Sequence, residues 1–339
     1  MTSSLPRPLR DARLRRAVTV SAVTAGSALL GTTAGIWAPI AGALDVARSD
    51  LRFPRLRLLS FAWTWTTLET VGSLSAGALW LTGRAGDLET HYKLQRWWAC
   101  RLVDALGLLA GLQFEVDGLE QLAPGPVVLC VRHASVADAL LPAWLLGQVG
   151  MRPRYVMKDD LLLDPSLDIV GHRIPNHFVD RIPDDLTAEL GTIEALAHGM
   201  DARDGAVIFP EGMVVTESRR ALAVERLAHK DPDRAARLRE LRVLAPVRAA
   251  GTAALLRGAP TADVVIVTHV GLEALARVAD APAHVPLAEP VRITLRRVPR
   301  AQIPAGEEFP RWLDEQWLAA DATVRGGSAG AAEVVASGT

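Results

Sequence analysis

Two long apolar runs occupy the first part of the chain, before about residue 82. Residues 17–44 contain no charged residue, although Pro39 interrupts them, and about 20 apolar residues are enough to cross a bilayer. The second run, residues 58–82, contains three tryptophans and a single acid, Glu69. Tryptophans suit the membrane–water interface. The pattern predicts a two-helix membrane hairpin within residues 1–86.

Basic residues flank both runs on every side, so the positive-inside rule gives no clear orientation. Two arrangements stay open. In the favoured one, the hairpin dips into one leaflet and all basic flanks face the same anionic surface, the cytoplasmic face of the plasma membrane. In the other, the two helices span the bilayer. A cleaved signal peptide is disfavoured, because the first run exceeds the roughly 7–15 apolar residues of a usual signal. The flanking residues are Arg7, Arg10, Arg13, Arg15 and Arg16, then Arg48, Arg52, Arg55 and Arg57, then Arg84, Lys93 and Arg96.

After residue 86, short apolar runs alternate with longer amphipathic ones. This alternation predicts an α/β domain over residues 87–322, with a mostly parallel sheet flanked by helices. Residues 323–339 are rich in Gly, Ala and Ser and are predicted to form a disordered tail. The predicted strands are 114–117, 127–132, 154–157, 206–209, 264–269 and 291–297, and the predicted helices are 89–112, 136–146, 185–198, 218–230, 232–241 and 307–321.

Charge and cysteine content narrow the class of protein. The net charge of −1 provides no field that would attract nucleic acid, so no nucleic-acid partner is expected. Cys100 and Cys130 are the only cysteines, and both have apolar neighbours in sequence. The sequence therefore predicts neither a disulfide framework nor a metal site.

Residues 127–141, VVLCVRHASVADALL, are the strongest candidate for catalytic chemistry. A buried strand is predicted to end at Arg132, which places His133 in a turn and Asp138 in the first turn of a helix. The carboxylate can then reach one imidazole nitrogen and leave the other facing a cleft, as a general base for an alcohol requires. A surface or capping role for His133 stays open, because such a spacing also occurs by chance.

Two further blocks follow this segment, FVDR at residues 178–181 and FPEG at residues 209–212. HASVAD, FVDR and FPEG, in this order and at these separations, resemble the glycerolipid acyltransferase family that includes the lysophosphatidic acid acyltransferases. The resemblance covers roughly residues 114–317. Similar proteins also begin with a membrane-binding pair of helices, which the apolar runs predict independently here.

Three shorter stretches more closely resemble the lysocardiolipin-acyltransferase-like branch of that family. They are KDDL at residues 158–161, the Asp-Pro pair at 164–165 and LAPVR at 244–248. Within the first stretch, Lys158 becomes a candidate for substrate binding. Its alternative is a solvated basic side chain.

The resemblance implies a membrane-attached acyltransferase. It would move a fatty acyl group from acyl-CoA or acyl carrier protein to the hydroxyl of a lysophospholipid, with 1-acyl-glycerol-3-phosphate giving phosphatidic acid as the favoured reaction. No bound cofactor is implied; the thioester is a co-substrate. The alternatives are a catalytically silent lipid-binding membrane protein and a hydrolase of acyl thioesters or phospholipids.

The family's residue roles carry over to matching positions of this sequence. His133 would be the general base that takes the proton of the acceptor hydroxyl, and Asp138 would orient it. Arg181 would grip the acceptor phosphate, a role that suits a planar guanidinium. Glu211 would position the glycerol hydroxyl, and the backbone at Gly212 would shape the pocket.

This sequence departs from the family pattern at two places. The FPEG block usually continues with threonine and arginine, but Met213 and Val214 stand there. Arg219 and Arg220 follow one to two turns later, and Arg219 is the candidate to replace the missing phosphate ligand. Arg132 precedes the histidine where a small polar residue is more usual. These departures put the identity of the acceptor in doubt more than the acyl-transfer chemistry.

Overall fold

The computed structural model describes residues 5–179, 185–276 and 278–337. The chain divides into two compact units. The first unit contains Met1–Gln113, Arg154–Glu189 and Ala279–Glu289, and the second contains Phe114–Pro153, Leu190–Val278 and Pro290–Thr339. The first unit therefore extends beyond residue 86 and includes two later segments that the sequence places in the α/β domain.

The helices and strands follow one another in an order close to the predicted one. The helices are α1 (Ala12–Thr32), α2 (Ala34–Ala47), α3 (Pro54–Leu81), α4 (Leu88–Ala110), α5 (Leu141–Gln148), α6 (Pro165–Gly171), α7 (Leu186–Ala197), α8 (Glu217–Lys230), α9 (Pro232–Leu238), α10 (Ala249–Gly258), α11 (Ala281–His284) and α12 (Phe309–Ser337). The strands are β1 (Phe114–Asp117), β2 (Val127–Val131), β3 (Arg152–Lys158), β4 (His177–Val179), β5 (Asp204–Ile208), β6 (Asp263–Val270) and β7 (Val291–Val298).

The second unit contains a mixed, mostly parallel sheet in the order β1-β7-β6-β2-β5. β6 and β7 are antiparallel, while β1–β7, β6–β2 and β2–β5 are parallel. Every residue of β2 and β5 is buried, as expected for parallel strands covered on both faces. Burial also raises the pKa of the Cys130 thiol in β2 to about 12. The predicted α/β class with a largely parallel sheet is confirmed.

The boundaries of several elements differ from the prediction. β3 begins in the second unit, where the Arg152 N–H donates to the Arg203 carbonyl at 2.6 Å, and continues into the first unit, where it pairs in parallel with β4. β4 is absent from the sequence prediction because three residues are too short to show a pattern. The last helix, predicted over residues 307–321, continues as α12 to Ser337. Residues 323–337 of the predicted tail are therefore helical.

The first apolar run forms α1 and α2, and the second lies within α3. Among the described residues, no single helix is both long and apolar enough to cross a membrane; α1 and α2 meet that criterion only as a pair, bent by 74° at their break. The predicted membrane hairpin stays a prediction. The bend lies at Thr33, between the end of α1 and the start of α2. A sharp bend of this kind interrupts the hydrogen bonds of the helix backbone.

Glu69, the single acid of the second run, is fully buried in the first unit. Its carboxylate accepts the Trp98 indole N–H at 2.7 Å and the Ser166 backbone N–H at 3.1 Å. Burial, followed by the charge of Glu69, raises the pKa of Asp164 well above its usual value. The neutral form of the Asp164 carboxyl is therefore favoured. Glu69 is a polar anchor that fastens α3 to α4 and α6.

Arg15 also has a partner inside the first unit. Its guanidinium binds Asp168 through two hydrogen bonds of 2.8 and 2.9 Å, and both side chains are at most 4% exposed. Arg16 adds a third contact to the same carboxylate at 3.1 Å. These two arginines, which the sequence groups with the basic flanks facing a membrane, therefore fasten α1 to α6.

Candidate active site

The chemically important residues lie where three neighbouring strands of the second unit end. β6, β2 and β5 are adjacent and parallel, so their carboxyl ends lie at one edge of the sheet. His269 lies near the end of β6, His133 follows β2, and Glu211 follows β5. In open α/β sheets, ligands bind outside the carboxyl ends of the strands. This edge is the candidate active site.

His133 and Asp138 make the contact that their spacing predicts. Nδ1 of His133 lies 3.3 Å from Oδ2 of Asp138. Asp138 lies in a short 3-10 turn, Ala137–Ala139, that precedes α5, so the predicted helix begins later than residue 136. The imidazole is 16% exposed, and the ring of Phe209 packs against it with centroids 4.7 Å apart. Its Nε2 has no hydrogen-bond partner within the described part of the chain.

Asp138 is completely buried at the centre of a set of donors. Oδ2 accepts the backbone N–H groups of Ala134 and Ser135, and Oδ1 accepts the Ser135 hydroxyl at 2.7 Å. Burial favours the neutral acid, but the charge of His269 and hydrogen bonds from both histidines outweigh it and hold the pKa of Asp138 well below its usual range. Asp138 is therefore an anion that fixes the proton of His133 on Nδ1 and leaves Nε2 as the basic nitrogen.

Glu211 is buried next to this pair and is 1% exposed. One carboxylate oxygen accepts the His133 N–H at 2.8 Å, and the other accepts the Ala245 N–H at 2.9 Å. Burial raises the pKa of Glu211 to about 7, against those two hydrogen bonds and the charge of Arg132. Both oxygens contact the protein backbone, so Glu211 positions the segment that carries His133.

The turn after β5 is shaped by Gly212, whose φ of 68° is left-handed and favours glycine. A Cβ at Gly212 would lie 3.4 Å from the guanidinium carbon of Arg248, so this arginine covers the glycine. Arg248 is exposed, and its backbone N–H donates to the Pro210 carbonyl at 2.8 Å. The N–H of Val215 donates to the His133 carbonyl at 2.7 Å. The turn is thus bonded to His133 on both sides.

The contacts of Arg132 explain why an arginine precedes His133. Its guanidinium is 3% exposed, binds the carboxylate of Glu273 and donates to the backbone carbonyl of His269. The arginine therefore links the end of β2 to the end of β6. A small polar residue could not reach either partner, so the departure from the family pattern fits the local packing.

The structure brings together His133, Asp138, Glu211 and Gly212 from the predicted site. Arg219 lies in the first turn of α8 in the same unit, where its exposed guanidinium donates to the Val214 carbonyl at 3.2 Å. Lys158 is half-buried at the end of β3 in the first unit, and Arg181 lies outside the described residues. The substrate-binding roles of these three stay predictions.

Sequence reasoning missed His269 and Arg248. His269 ends an apolar strand, and its relation to Asp138 depends on the order of strands in the sheet, which the sequence pattern does not give. Arg248 belongs to the LAPVR stretch that the resemblance singled out, but only the bond to Pro210 places it over Gly212. Within the described residues, no cluster of three or more His, Cys, Asp or Glu side chains could hold a metal ion.

An imidazole oriented by a buried carboxylate defines a site for general-base catalysis on a hydroxyl group. Residues 113–270 match the family model described as Acyltransferase. Residues 113–270 therefore form an acyltransferase domain. This match confirms the family resemblance drawn from the motifs, while the lysocardiolipin-like branch stays a prediction.

The chain is also similar to the crystal structure of the 1-acyl-sn-glycerophosphate (LPA) acyltransferase, PlsC, from Thermotoga maritima. The identity is 13%, the likeness covers 78% of this chain and 96% of that chain, and the TM-score is 0.40. No curated protein matches the sequence.

Proposed function

We propose that this chain transfers a fatty acyl group from acyl-CoA or acyl carrier protein to the hydroxyl of a lysophospholipid, with 1-acyl-glycerol-3-phosphate as the favoured acceptor. One observation carries the proposal: inside the acyltransferase domain, Asp138 contacts Nδ1 of a partly exposed His133 and leaves Nε2 without a partner among the described residues. This geometry suits the removal of a proton from an alcohol.

The proposed reaction needs no covalent enzyme intermediate. Nε2 of His133 takes the proton of the acceptor hydroxyl as its oxygen attacks the thioester carbonyl carbon. A carbon–oxygen bond forms, and the carbonyl oxygen carries the negative charge until the carbon–sulfur bond breaks. The leaving thiolate then takes the proton from the imidazolium. Asp138 stays ionised throughout and stabilises the imidazolium while the proton is held there.

The charge near Gly212 supports an anionic acceptor. Arg248 is exposed beside the residues that hold His133 and makes no side-chain hydrogen bond or ion pair in the part of the chain that the structure describes. A guanidinium binds phosphate oxygens through two parallel hydrogen bonds. Arg248 is therefore a better placed candidate for the phosphate than Arg220, whose guanidinium donates to the Leu241 carbonyl at 2.9 Å. Arg219, Lys158 and Arg181 remain further candidates.

A membrane-surface location would supply the single-chain acceptor. Exposed apolar side chains support it: Ile36 and Ile40 on α2 are 63% and 54% exposed, and Leu51, in the basic turn that follows, is 72% exposed. We propose that this surface contacts the cytoplasmic face of the plasma membrane. Ile36→Asp should reduce sedimentation with vesicles of phosphatidylglycerol and phosphatidylethanolamine, whereas Leu222→Asp, at an exposed position on α8, should not. Equal sedimentation of both variants would contradict the location.

A transfer assay tests the activity. The full chain is incubated with radiolabelled palmitoyl-CoA or palmitoyl acyl carrier protein and with a panel of lysophospholipids that differ in head group. We expect a labelled two-chain phospholipid, and no product from His133→Ala. His229→Ala, which removes an exposed imidazole at the end of α8, should keep wild-type activity and serves as the matched control.

The products separate the proposal from its two rivals. Free palmitate without two-chain lipid would identify a hydrolase, in which water takes the place of the acceptor hydroxyl. Lysophospholipid binding without any turnover would identify a silent lipid-binding protein. Two-chain product that persists in a folded His133→Ala variant would overturn the assigned base.

A further inference from the structure

A second histidine faces the carboxylate that steers the proposed base. His269 is 1% exposed near the end of β6, and its Nε2 lies 3.6 Å from Oδ2 of Asp138, on the same oxygen that His133 contacts. Nε2 also lies 3.3 Å from the backbone carbonyl of Arg132. The Asp138 carboxylate therefore lies between two imidazoles, one partly open to solvent and one enclosed.

The enclosed imidazole is held firmly by its backbone. The carbonyl of His269 accepts a hydrogen bond from the guanidinium of Arg132, which in turn pairs with Glu273. The other ring nitrogen, Nδ1, is buried and has no hydrogen-bond partner among the described residues. An unpartnered buried polar atom costs free energy, so packing alone is a poor explanation for a histidine here. Through Nε2, the ring contacts the Arg132 carbonyl and the Asp138 carboxylate.

The two possible protonation states of His269 act on Asp138 in the same direction. As a cation, the ring attracts the carboxylate charge; as a neutral ring with the proton on Nε2, it offers a donor towards Oδ2. Either state leaves less negative charge for stabilising a protonated His133. The charged and titratable groups that face this cluster are Asp138 and His133 after β2, Arg132 at the end of β2, Glu211 after β5 and Glu273 after β6.

We infer that His269 is a positioning residue of the acyl-transfer site, which shares the Asp138 carboxylate with His133 and thereby keeps the base unprotonated to lower pH. This inference rests on the proposed function. It predicts that losing the contact to Asp138 raises the pH at which the base becomes active. A residue that only filled space would affect the amount of folded protein and leave that pH unchanged.

Two amide variants separate these possibilities. In His269→Gln, the amide nitrogen can occupy the place of Nε2 and still reach Asp138. In His269→Asn, the shorter side chain places its amide near the position of Nδ1, so it cannot reach Asp138. Both variants keep a polar group at the position. Thr268→Val is the matched control on the same strand, because this residue is buried and, among the described residues, its hydroxyl bonds only the Thr294 carbonyl, at 3.4 Å.

The first measurement is kcat/KM between pH 5 and 9 for the full chain, with palmitoyl-CoA and 1-acyl-glycerol-3-phosphate. We expect the acid limb of the profile to move upward by about 0.5–1 pH unit in His269→Asn. The KM for the acceptor should stay within about twofold, because His269 does not touch substrate. His269→Gln and Thr268→Val should keep the wild-type limb. An unmoved or downward-shifted limb in a folded His269→Asn variant would overturn the inference.

The second measurement does not depend on turnover. The imidazole C–H signal of His133, assigned by its loss in His133→Ala, is titrated by NMR in wild type and in both amide variants. The midpoint should rise in His269→Asn and stay in place in His269→Gln. If the wild-type chain transfers no acyl group, the proposed function fails while this titration still tests the coupling. Identical midpoints in all three proteins would refute the role of His269.

Discussion

The carboxylate of Glu211 accepts the backbone N–H of His133 at 2.8 Å through one oxygen and that of Ala245 at 2.9 Å through the other. The family resemblance assigns this glutamate to the glycerol hydroxyl of the acceptor, yet both of its oxygens are already engaged with backbone. Its first role in this chain is therefore to fix the segment that carries the base. His133 is therefore held through its backbone N–H by Glu211 and through its imidazole by Asp138.

Because Glu211 is buried, its titration makes the free energy of unfolding depend on pH. Its pKa is raised from the usual 4.5 to about 7, so the folded state binds more protons than the unfolded state between those values. The stabilisation is complete below about pH 4.5 and is lost as the pH rises through 7. Glu211→Gln should abolish a decline of about 3 kcal/mol in the free energy of unfolding across that range.

Urea unfolding at pH 5 to 8 measures this difference between wild type and Glu211→Gln. Glu225→Gln, which changes an exposed glutamate on α8 of the same unit, is the control and should follow the wild-type curve. Parallel curves for wild type and Glu211→Gln would show that the buried carboxyl does not titrate in this range.

Asp138→Asn tests the steering of the base. Three donors converge on Oδ2, from Ala134, Ser135 and His133. A neutral amide oxygen accepts them more weakly than a carboxylate and does not stabilise an imidazolium equally well. We expect kcat to fall by about 10²–10⁴-fold and the free energy of unfolding to fall by about 1–3 kcal/mol. Ser135→Ala removes the hydroxyl bonds to Oδ1 and to the Ala137 N–H but leaves the His133 contact with Oδ2 in place, and it should have a much smaller effect on kcat. Wild-type kcat in Asp138→Asn would contradict the assignment.

Arg248→Ala tests recognition of an anionic acceptor. Losing a charge-assisted bond to phosphate costs about 1.5–3 kcal/mol, so the KM for 1-acyl-glycerol-3-phosphate should rise by at least about tenfold. Monoacylglycerol has no phosphate, and its kcat/KM should not change. Arg257→Ala is the control; it removes an exposed guanidinium on α10 that pairs with Glu194. An equal loss of kcat/KM for both acceptors would rule out phosphate recognition by Arg248.

Arg15→Ala tests the attachment of α1 within the first unit. The substitution leaves Asp168 buried with only its contacts to Arg16 and His172, and breaking a buried pair from one side costs about 3–5 kcal/mol. A lower Tm and faster proteolysis are expected. Arg13→Ala changes an exposed residue two positions before Arg15 on the same helix and should leave the Tm and the rate of proteolysis unchanged. Equal Tm values for the two variants would mean that Arg15 is not a structural anchor.

The sequence predicted the sheet well because its central strands are buried on both faces. β2, β5 and β6 each appear as short apolar runs, and such runs are typical of parallel strands. The His133–Asp138 contact was also predictable, because both residues belong to one local segment. β4 was not, since only three residues, His177–Val179, take part in it.

The parts of the site that were missed depend on long-range neighbours. His269 faces Asp138 only because β6 lies beside β2 in the sheet, and no local pattern encodes that order. Arg248 covers Gly212 because the segment before α10 is bonded to Pro210. Likewise, Arg15 was grouped with membrane-facing arginines because Asp168, its partner, is far away in the sequence.

The turn after β5 is bonded to His133 at both of its ends, by the Glu211 carboxylate before it and the Val215 N–H after it. Met213 and Val214 lie between these two fixed points. Their side chains can therefore change without removing either bond, whereas a change of Glu211 would remove one of them. The proposed preference for a head group can therefore change at these two positions while the geometry of the base is retained.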